Sequence, residues 1–168
     1  MVVDEHRRSA GGPDLGFALV TASDSRVAAD DRSGALAREL VEAAGHRVAA
    51  AEVVPDEAAP LRRAVEAALA RAEVDVVVVT GGTGLAPRDV TVEAVSPLFD
   101  KTIDGFGEIF RRLSYDEIGA AAMLSRATAG LVGRKAVFLL PGSPAAVRLA
   151  LRSLILPEIA HLLAQARR

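Results

Sequence analysis

Residues 76–91 read VVVVTGGTGLAPRDVT, in which a run of valines leads directly into a loop with three glycines in four residues. An uninterrupted valine run is typical of a strand that is buried on both faces, as in a parallel sheet. Glycine lets backbone N–H groups turn toward a ligand and approach it closely, which suits an anion such as phosphate. The loop then supplies a cation, Arg88, and a carboxylate, Asp89. The stretch matches neither the P-loop nor the dinucleotide-binding pattern, but its combination of groups indicates nucleotide chemistry.

The rest of the chain alternates short apolar runs with segments of helical periodicity, which predicts an α/β fold with a mostly parallel sheet. The predicted strands are residues 15–21, 47–54, 74–80 and 136–140. The predicted helices are one that ends at Gly45, one that begins after Asp56, residues 92–99, short helices and loops over 101–124, and a C-terminal helix broken around Pro157 into 145–156 and 158–165.

Three of the predicted strands lead into small polar loops. These loops are Thr21–Asp24, Thr80–Gly84 and Pro141–Pro144. In open α/β sheets the ligand lies in a crevice at the carboxyl ends of the strands. We therefore expect one crevice to be lined by all three loops, although they are far apart along the chain.

The composition favours a single domain that does not bind nucleic acid. The chain has 168 residues, 51% of them hydrophobic, with a net charge of −2 and no cysteine. That length supports one domain with a real core, and the charge does not complement a phosphate backbone. The lack of cysteine suits a cytoplasmic location, and no apolar stretch is long enough to predict a membrane partner. Residues 1–13 are polar and end in Gly-Gly-Pro, so we expect a flexible N-terminal tail before a domain of residues 14–168.

Several of the polar residues also have purely structural interpretations. The glycines alone could make a tight turn between a strand and a helix. A helix N-terminus is also an anion site, so capping and binding are compatible. On the structural interpretation Asp56, Asp89 and Ser143 are helix N-caps, Arg111-Arg112 is a solvated helix face, and Ser125-Arg126 is an ordinary loop pair.

Four motifs follow one another along the chain. They are Thr80-Gly81-Gly82-Thr83-Gly84 with Arg88-Asp89-Val90-Thr91, Gly107-Glu108-x-Phe110-Arg111-x-x-Ser114-x-x-x-Ile118-Gly119, Met123-Leu124-Ser125-Arg126-Ala127-x-Ala129-Gly130, and Pro141-Gly142-Ser143-Pro144. In this order they resemble the signature of the MoaB/MogA family of molybdenum cofactor biosynthesis proteins, from about Leu15 to about Leu163. Val92 departs from the family pattern, which usually has proline there. Proline at a first helical position only pre-sets the backbone, so we expect a mild effect.

The resemblance implies a three-layer α/β/α sandwich, with a molybdopterin-binding domain over residues 14–168 that assembles as trimers or hexamers. It implies an enzyme that transfers AMP from ATP to the terminal phosphate of molybdopterin, with Mg²⁺ and release of pyrophosphate. The adenylylated pterin then accepts molybdate from another protein, which is a further expected partner. The alternative is a non-catalytic molybdopterin-binding or scaffold protein of the same pathway.

The resemblance also gives roles to individual residues. Asp56 and Asp89 match two essential acidic positions, and we expect one or both to hold Mg²⁺. Ser114 and Ser125 match hydroxyls of the pterin site. The full set of substrate-binding and nucleotide-binding positions that the resemblance implies is Ser23, Asp24, Gly81, Gly82, Thr83, Gly84, Arg88, Ser114, Ser125, Arg126, Pro141, Gly142 and Ser143.

Overall fold

The computed structural model describes residues 14–24 and 30–168. Its central element is a mixed β-sheet. The strands in this part of the chain are β1 (Gly16–Ala22), β2 (Arg47–Val54), β3 (Val76–Thr80), β4 (Lys101–Thr102), β5 (Thr128–Val132) and β6 (Lys135–Leu140). The α-helices are α1 (Arg32–Ala43), α2 (Ala58–Ala70), α3 (Thr91–Val95), α4 (Asp104–Ile118), α5 (Pro144–Ala150) and α6 (Leu156–Ala166). The tail predicted over residues 1–13 lies outside the described residues.

The strands lie in the order β2-β1-β3-β6-β5-β4. The neighbours from β2 to β6 are parallel, whereas β5 and β4 are antiparallel to their neighbours. This confirms the mostly parallel α/β fold. After β1 the chain first adds β2 on one side and later adds β3 on the other, so the loops that leave β1 and β3 diverge. A crevice forms where two such loops part, which is the usual place for a ligand in this class of fold.

Alternating side chains of the central strands form an apolar core on each face of the sheet. On one face Phe17 and Leu19 pack in a cluster with residues of α1, α4, α5 and α6. On the other face Ala18 and Val20 pack with residues of α2 and α3. The valines of residues 76–79 are fully buried, as an uninterrupted apolar strand predicts. The result is the three-layer α/β/α sandwich that the resemblance implies.

The region between β3 and β6 differs most from the sequence prediction. The helix predicted over residues 92–99 is the shorter α3 followed by a 3₁₀ turn, Ser96–Leu98, and Val92 is its second residue. In place of short helices and loops, residues 104–118 form one helix, α4, which is followed by a 3₁₀ segment, Gly119–Leu124. Strands β4 and β5 are two further elements of this region that were not predicted from the sequence.

Tertiary contacts explain why α4 forms as one helix and contains Gly107. Phe106 and Phe110 bury their rings in the core and fix the helix against the sheet. A Cβ on Gly107 would lie 2.7 Å from the carbonyl oxygen of Ala127, so this glycine allows the helix to approach the segment before β5 closely. Gly107 therefore reflects close packing of a helix rather than a loop.

The C-terminal helix is not broken at Pro157, contrary to the prediction. Helix α5 continues through a π-helical turn, Leu151–Ile155, into α6, and Pro157 lies in the first turn of α6. Proline inside a helix cannot donate the usual hydrogen bond to the carbonyl four residues earlier, and the π-helical turn directly before Pro157 accommodates this local change in the pattern. None of the described helices is long and apolar enough to cross a membrane.

Candidate functional site

A cavity of about 720 Å³ lies at the carboxyl ends of β1, β3 and β6. All three polar loops that we predicted to share a crevice line it, and α4 adds Phe110, Ser114 and Ile118. Of the site residues that sequence analysis selected, only Arg126 is not among the lining residues. Ile118 and Leu124 also line the cavity and were not predicted as site residues, although both lie within the motifs that carry the family resemblance.

The glycine loop, residues 81–89, is held in a conformation that other residues adopt only with strain. Gly81 and Gly82 have φ angles of 95° and 63°, in the left-handed region. A Cβ on Gly82 would lie 2.3 Å from Thr91 Oγ1 and 2.5 Å from Asp56 Oδ1. Thr91 Oγ1 donates to the carbonyl oxygen of Gly81 at 2.8 Å, which ties the loop to the start of α3. Glycine at position 82 therefore brings the backbone close to a carboxylate.

Asp89 closes the far end of the glycine loop. Its Oδ2 accepts a hydrogen bond from the N–H of Ala86 at 2.9 Å, and its own N–H donates to the carbonyl oxygen of Ala86 at 2.9 Å. The residue before α3 is Val90, and no described side chain caps that helix. The N-cap interpretation of Asp89 is therefore wrong. Its half-buried carboxylate lies on the cavity wall.

Asp56 is also not a helix cap. The N-cap position of α2 is Glu57, and the buried Oδ1 of Asp56 has no hydrogen-bond partner among the described residues. The N–H of Asp56 donates to Asp24 Oδ1 at 2.9 Å. A buried oxygen without a partner is rare in folded proteins and calls for a ligand, a water or an ion.

The electrostatic environment of Asp56 disfavours its charged form. Burial raises the pKa of the Asp56 carboxyl above its ordinary value, and the negative charges of Asp89 and Asp24 raise it further. The Arg88 guanidinium opposes these effects and lowers that pKa. Three carboxylates around one cavity thus repel one another, and a bound cation would relieve the repulsion.

We expect Asp56→Asn to raise the melting temperature of the free protein near pH 7. A carboxyl whose pKa is raised on folding stabilises the fold fully below its unfolded pKa, and this stabilisation is lost as pH rises through the folded pKa. At neutral pH the ionised carboxylate of Asp56 therefore destabilises the native state, and replacement by asparagine removes this destabilisation. A change of about 1 kcal/mol shifts the melting temperature of a domain of this size by about 2–4 °C, so we expect a rise of at most a few degrees.

Thermal melts of Asp56→Asn and wild type at pH 7 and pH 3.5 test this. The difference should shrink at the lower pH, because wild-type Asp56 becomes protonated there. Asp116→Asn is the control, since Asp116 pairs with Arg112 on the exposed face of α4 and its loss should not stabilise the protein. A lower melting temperature of Asp56→Asn at pH 7 would contradict the assignment of electrostatic repulsion.

Serine hydroxyls and apolar side chains form another part of the cavity wall. Ser114 Oγ donates to the carbonyl oxygen of Phe110 at 2.8 Å, and Ser125 Oγ accepts from the N–H of Ala127 at 3.3 Å. Ile118 and Leu124 are more than half exposed at its edge. This wall can therefore contact a flat ring through apolar surface and offer hydroxyl groups to its polar edge.

The proline-containing loop after β6 completes the cavity. Ser143 Oγ accepts from the N–H of Ala146 at 3.2 Å and caps α5, with Pro144 at the first helical position. The structural interpretation of Ser143 is thus confirmed, and Ser143 also lines the cavity. Gly142 accepts a hydrogen bond at its carbonyl oxygen from Ser33 Oγ at 2.6 Å, which holds this loop against α1.

Two arginines lie behind the cavity wall. Arg111 Nη1 donates to the carbonyl oxygens of Ser125 and Ala127 at 3.3 and 3.1 Å, so the interpretation of Arg111 as part of a solvated face is wrong. Arg126 donates to backbone carbonyls of the glycine loop and to the carboxylate of Glu93. The hydrogen bond from Arg126 lowers the pKa of Glu93.

Comparisons with known proteins match nearly the whole chain. The sequence pattern of the probable molybdopterin binding domain matches residues 18–161. Molybdenum cofactor biosynthesis protein B of Bacillus cereus is 50% identical over 163 residues, which are 96% of each chain. A crystal structure of a molybdenum cofactor biosynthesis protein B is 51% identical with a TM-score of 0.90, covering 92% of this chain and 97% of that one. The tungsten cofactor synthesizing protein MoaB from Pyrococcus furiosus is 39% identical with a TM-score of 0.85, covering 93% and 99%.

Proposed function

The chain belongs to the MoaB/MogA family of probable molybdopterin-binding domains and has a role in molybdenum cofactor biosynthesis, and from this we propose that it transfers AMP from ATP to the terminal phosphate of molybdopterin. The observation that carries the proposal is the buried Oδ1 of Asp56, which has no partner among the described residues and lies beside the glycine loop in the large cavity. A carboxylate oxygen in that place can bind the cation that accompanies a polyphosphate.

The two sides of the cavity support a reaction between two different substrates. The side formed by the glycine loop, Arg88, Asp56 and Asp89 suits phosphate groups. The part of the wall with serine hydroxyls and an apolar edge suits a pterin ring. A volume of about 720 Å³ lies within the range of small-molecule sites. On this proposal the phosphates of both substrates lie at the glycine loop.

The donor set fits Mg²⁺. This ion prefers oxygen ligands, and proteins usually hold it with one or two carboxylates plus substrate phosphates. Asp56 and Asp89 are the residues that would hold it, and the unpartnered Oδ1 of Asp56 is the oxygen available for this. The described residues contain no group of three or more metal-ligating side chains, in keeping with a site that substrate phosphates complete. When bound, Mg²⁺ supplies positive charge that offsets the negative charge of the phosphates.

The reaction requires the protein mainly to position two polyanions. An oxygen of the molybdopterin phosphate forms a bond to the α-phosphorus of ATP, and the bond from that phosphorus to the bridging oxygen breaks, releasing pyrophosphate. The attacking phosphate is already ionised, so no side chain has to remove a proton. Backbone N–H groups of the glycine loop would orient the α-phosphate, and Arg88 would attract it. Ser114 and Ser125 would orient the pterin.

A direct assay tests this function. The protein is incubated with molybdopterin, ATP and Mg²⁺, and the products are separated by chromatography. We expect adenylylated molybdopterin and an equal amount of pyrophosphate, both dependent on Mg²⁺. Binding of molybdopterin without any consumption of ATP would refute the transferase and favour a binding or scaffold protein.

Assembly into trimers or hexamers, transfer of the product to a molybdate-inserting protein and a cytoplasmic location belong to the same proposal. The apolar C-terminal segment does not support the assembly, because a single chain buries Leu151, Ile155, Ile159 and Leu163 in its own core. Large exposed apolar side chains lie elsewhere, including Ile109, Tyr115 and Met123.

A further inference from the structure

The side chain of Arg126, which does not line the cavity, donates hydrogen bonds to three different residues. Its Nε donates to the carbonyl oxygen of Gly84 at 2.9 Å, and its Nη2 donates to the carbonyl oxygen of Asp89 at 3.1 Å. Nη2 also donates to Glu93 Oε2 at 3.2 Å, and Nη1 contacts Glu93 Oε1. The guanidinium plane thus joins both ends of the segment between Gly84 and Asp89 to α3. A planar group with five N–H donors suits this arrangement, whereas a lysine ammonium does not.

The backbone that carries Arg126 is itself fixed. Arg111 donates from α4 to the carbonyl oxygens of Ser125 and Ala127, which flank Arg126. A Cβ on Gly107 would lie 2.8 Å from Arg111 Nη2, so the glycine makes room for this guanidinium. Two arginines in series therefore connect α4, the segment 125–127 and the glycine loop. Ser114 and Ser125 lie at one end of this connection, and Gly84 and Asp89 lie at the other.

We propose that Arg126 is a positioning residue, which acts on the reaction by holding the glycine loop against the segment 125–127 and does not bind substrate phosphate itself. It sets the distance between the phosphate side and the pterin side of the cavity. The inference deepens the proposed transferase and rests on it for its effect on rate. The effect of Arg126 on the glycine loop does not depend on transferase activity.

Glu93 separates this role from direct phosphate binding. The Glu93 side chain is 58% exposed and is not among the residues that line the cavity. If Arg126 bound phosphate, Glu93→Gln would free its charge and would tighten ATP binding or leave it unchanged. If Arg126 positions the loop, Glu93→Gln removes one of its anchors, and the loop loosens in the same way as in Arg126→Gln, to a smaller extent.

Hydrogen exchange measured by mass spectrometry tests the structural part on the free protein. Peptides covering residues 81–91 contain the N–H groups of Ala86, Asp89 and Thr91, each of which is hydrogen-bonded. We expect these N–H groups to exchange about tenfold faster in Arg126→Gln and Arg126→Lys, and less markedly faster in Glu93→Gln. Peptides from α2 should be unchanged. Arg112→Gln is the matched control, because it removes one arginine from an exposed pair on α4. Unchanged exchange in the Arg126 variants would overturn the inference.

Steady-state kinetics tests the effect on the reaction. We expect kcat to fall by roughly 10-fold to 100-fold in Arg126→Gln, with KM for ATP changed much less, because misalignment of reacting groups lowers the rate of the chemical step. A large rise in KM that Arg126→Lys restores would show direct phosphate binding and overturn the inference. If the wild-type protein does not transfer AMP, the proposed function fails, and the hydrogen-exchange result alone decides the role of Arg126.

Discussion

Asp89→Asn is expected to lower the rate of AMP transfer by about 10²-fold or more and to leave the fold intact. An asparagine oxygen can still accept the hydrogen bond from the Ala86 N–H, so the end of the glycine loop keeps its shape. What is lost is the negative charge on the cavity wall, which the proposed Mg²⁺ site requires. The measurement is the rate of formation of adenylylated molybdopterin at saturating Mg²⁺, together with a thermal melt of each protein.

The control for this variant is Asp100→Asn. Asp100 Oδ2 also accepts a backbone N–H, that of Gly133 at 2.6 Å, but Asp100 does not line the cavity. This variant makes the same chemical change in the same kind of hydrogen bond and should retain full activity. Near-normal transfer by Asp89→Asn would reduce Asp89 to a structural role in the loop.

Gly82→Ala is expected to abolish most of the activity and to destabilise the protein more than backbone strain alone would. The new Cβ would lie far inside contact distance of Thr91 Oγ1 and Asp56 Oδ1, at 2.3 and 2.5 Å. To relieve this overlap either the glycine loop must move or the side chains of Thr91 and Asp56 must turn aside, and either change disturbs the site. Backbone strain at a positive φ adds about 1 kcal/mol or more. The measurements are the free energy of unfolding and the transfer rate.

Gly133→Ala isolates the contribution of backbone strain. Gly133 has a φ of 57°, close to the 63° of Gly82, but apart from Gly133 and its two chain neighbours no atom in the described part of the chain lies within 4 Å of its added Cβ. Gly133 lies in the turn between β5 and β6 and does not line the cavity. We expect a smaller loss of stability and unchanged activity. Equal losses of stability in the two variants would show that the overlap at Gly82 is relieved at no cost.

The sequence predicted the parts of the fold that local patterns determine. The valine run gave a central strand, β2 has the predicted bounds, and the loops after β1, β3 and β6 line one cavity. The parts that it did not predict depend on partners distant in sequence. Helix α4 contains Gly107, which packs against the segment before β5, and β5 is paired through a turn rather than marked by a valine run.

The same distinction applies to the candidate site. Sequence spacing places Asp56 just before a helix and so predicts a cap, but its N–H is bound to Asp24 and its Oδ1 faces a loop that follows a different strand. The resemblance grouped Arg126 with the binding residues, whereas its bonds reach the glycine loop from behind. The order of the motifs identified the residues that lie around the cavity. Only the tertiary structure shows whether each of them lines the cavity or supports its wall from outside.

The order of strands in the sheet has a consequence for synthesis on the ribosome. Strand β3 ends at Thr80, but β6, its neighbour in the sheet, begins only at Lys135. While the intervening residues are being translated, one edge of the valine strand has no partner. An apolar, unpaired edge of this kind can pair with another nascent chain and start aggregation. Because the cavity needs the loop after β6, a nascent chain cannot complete its site before that edge is covered.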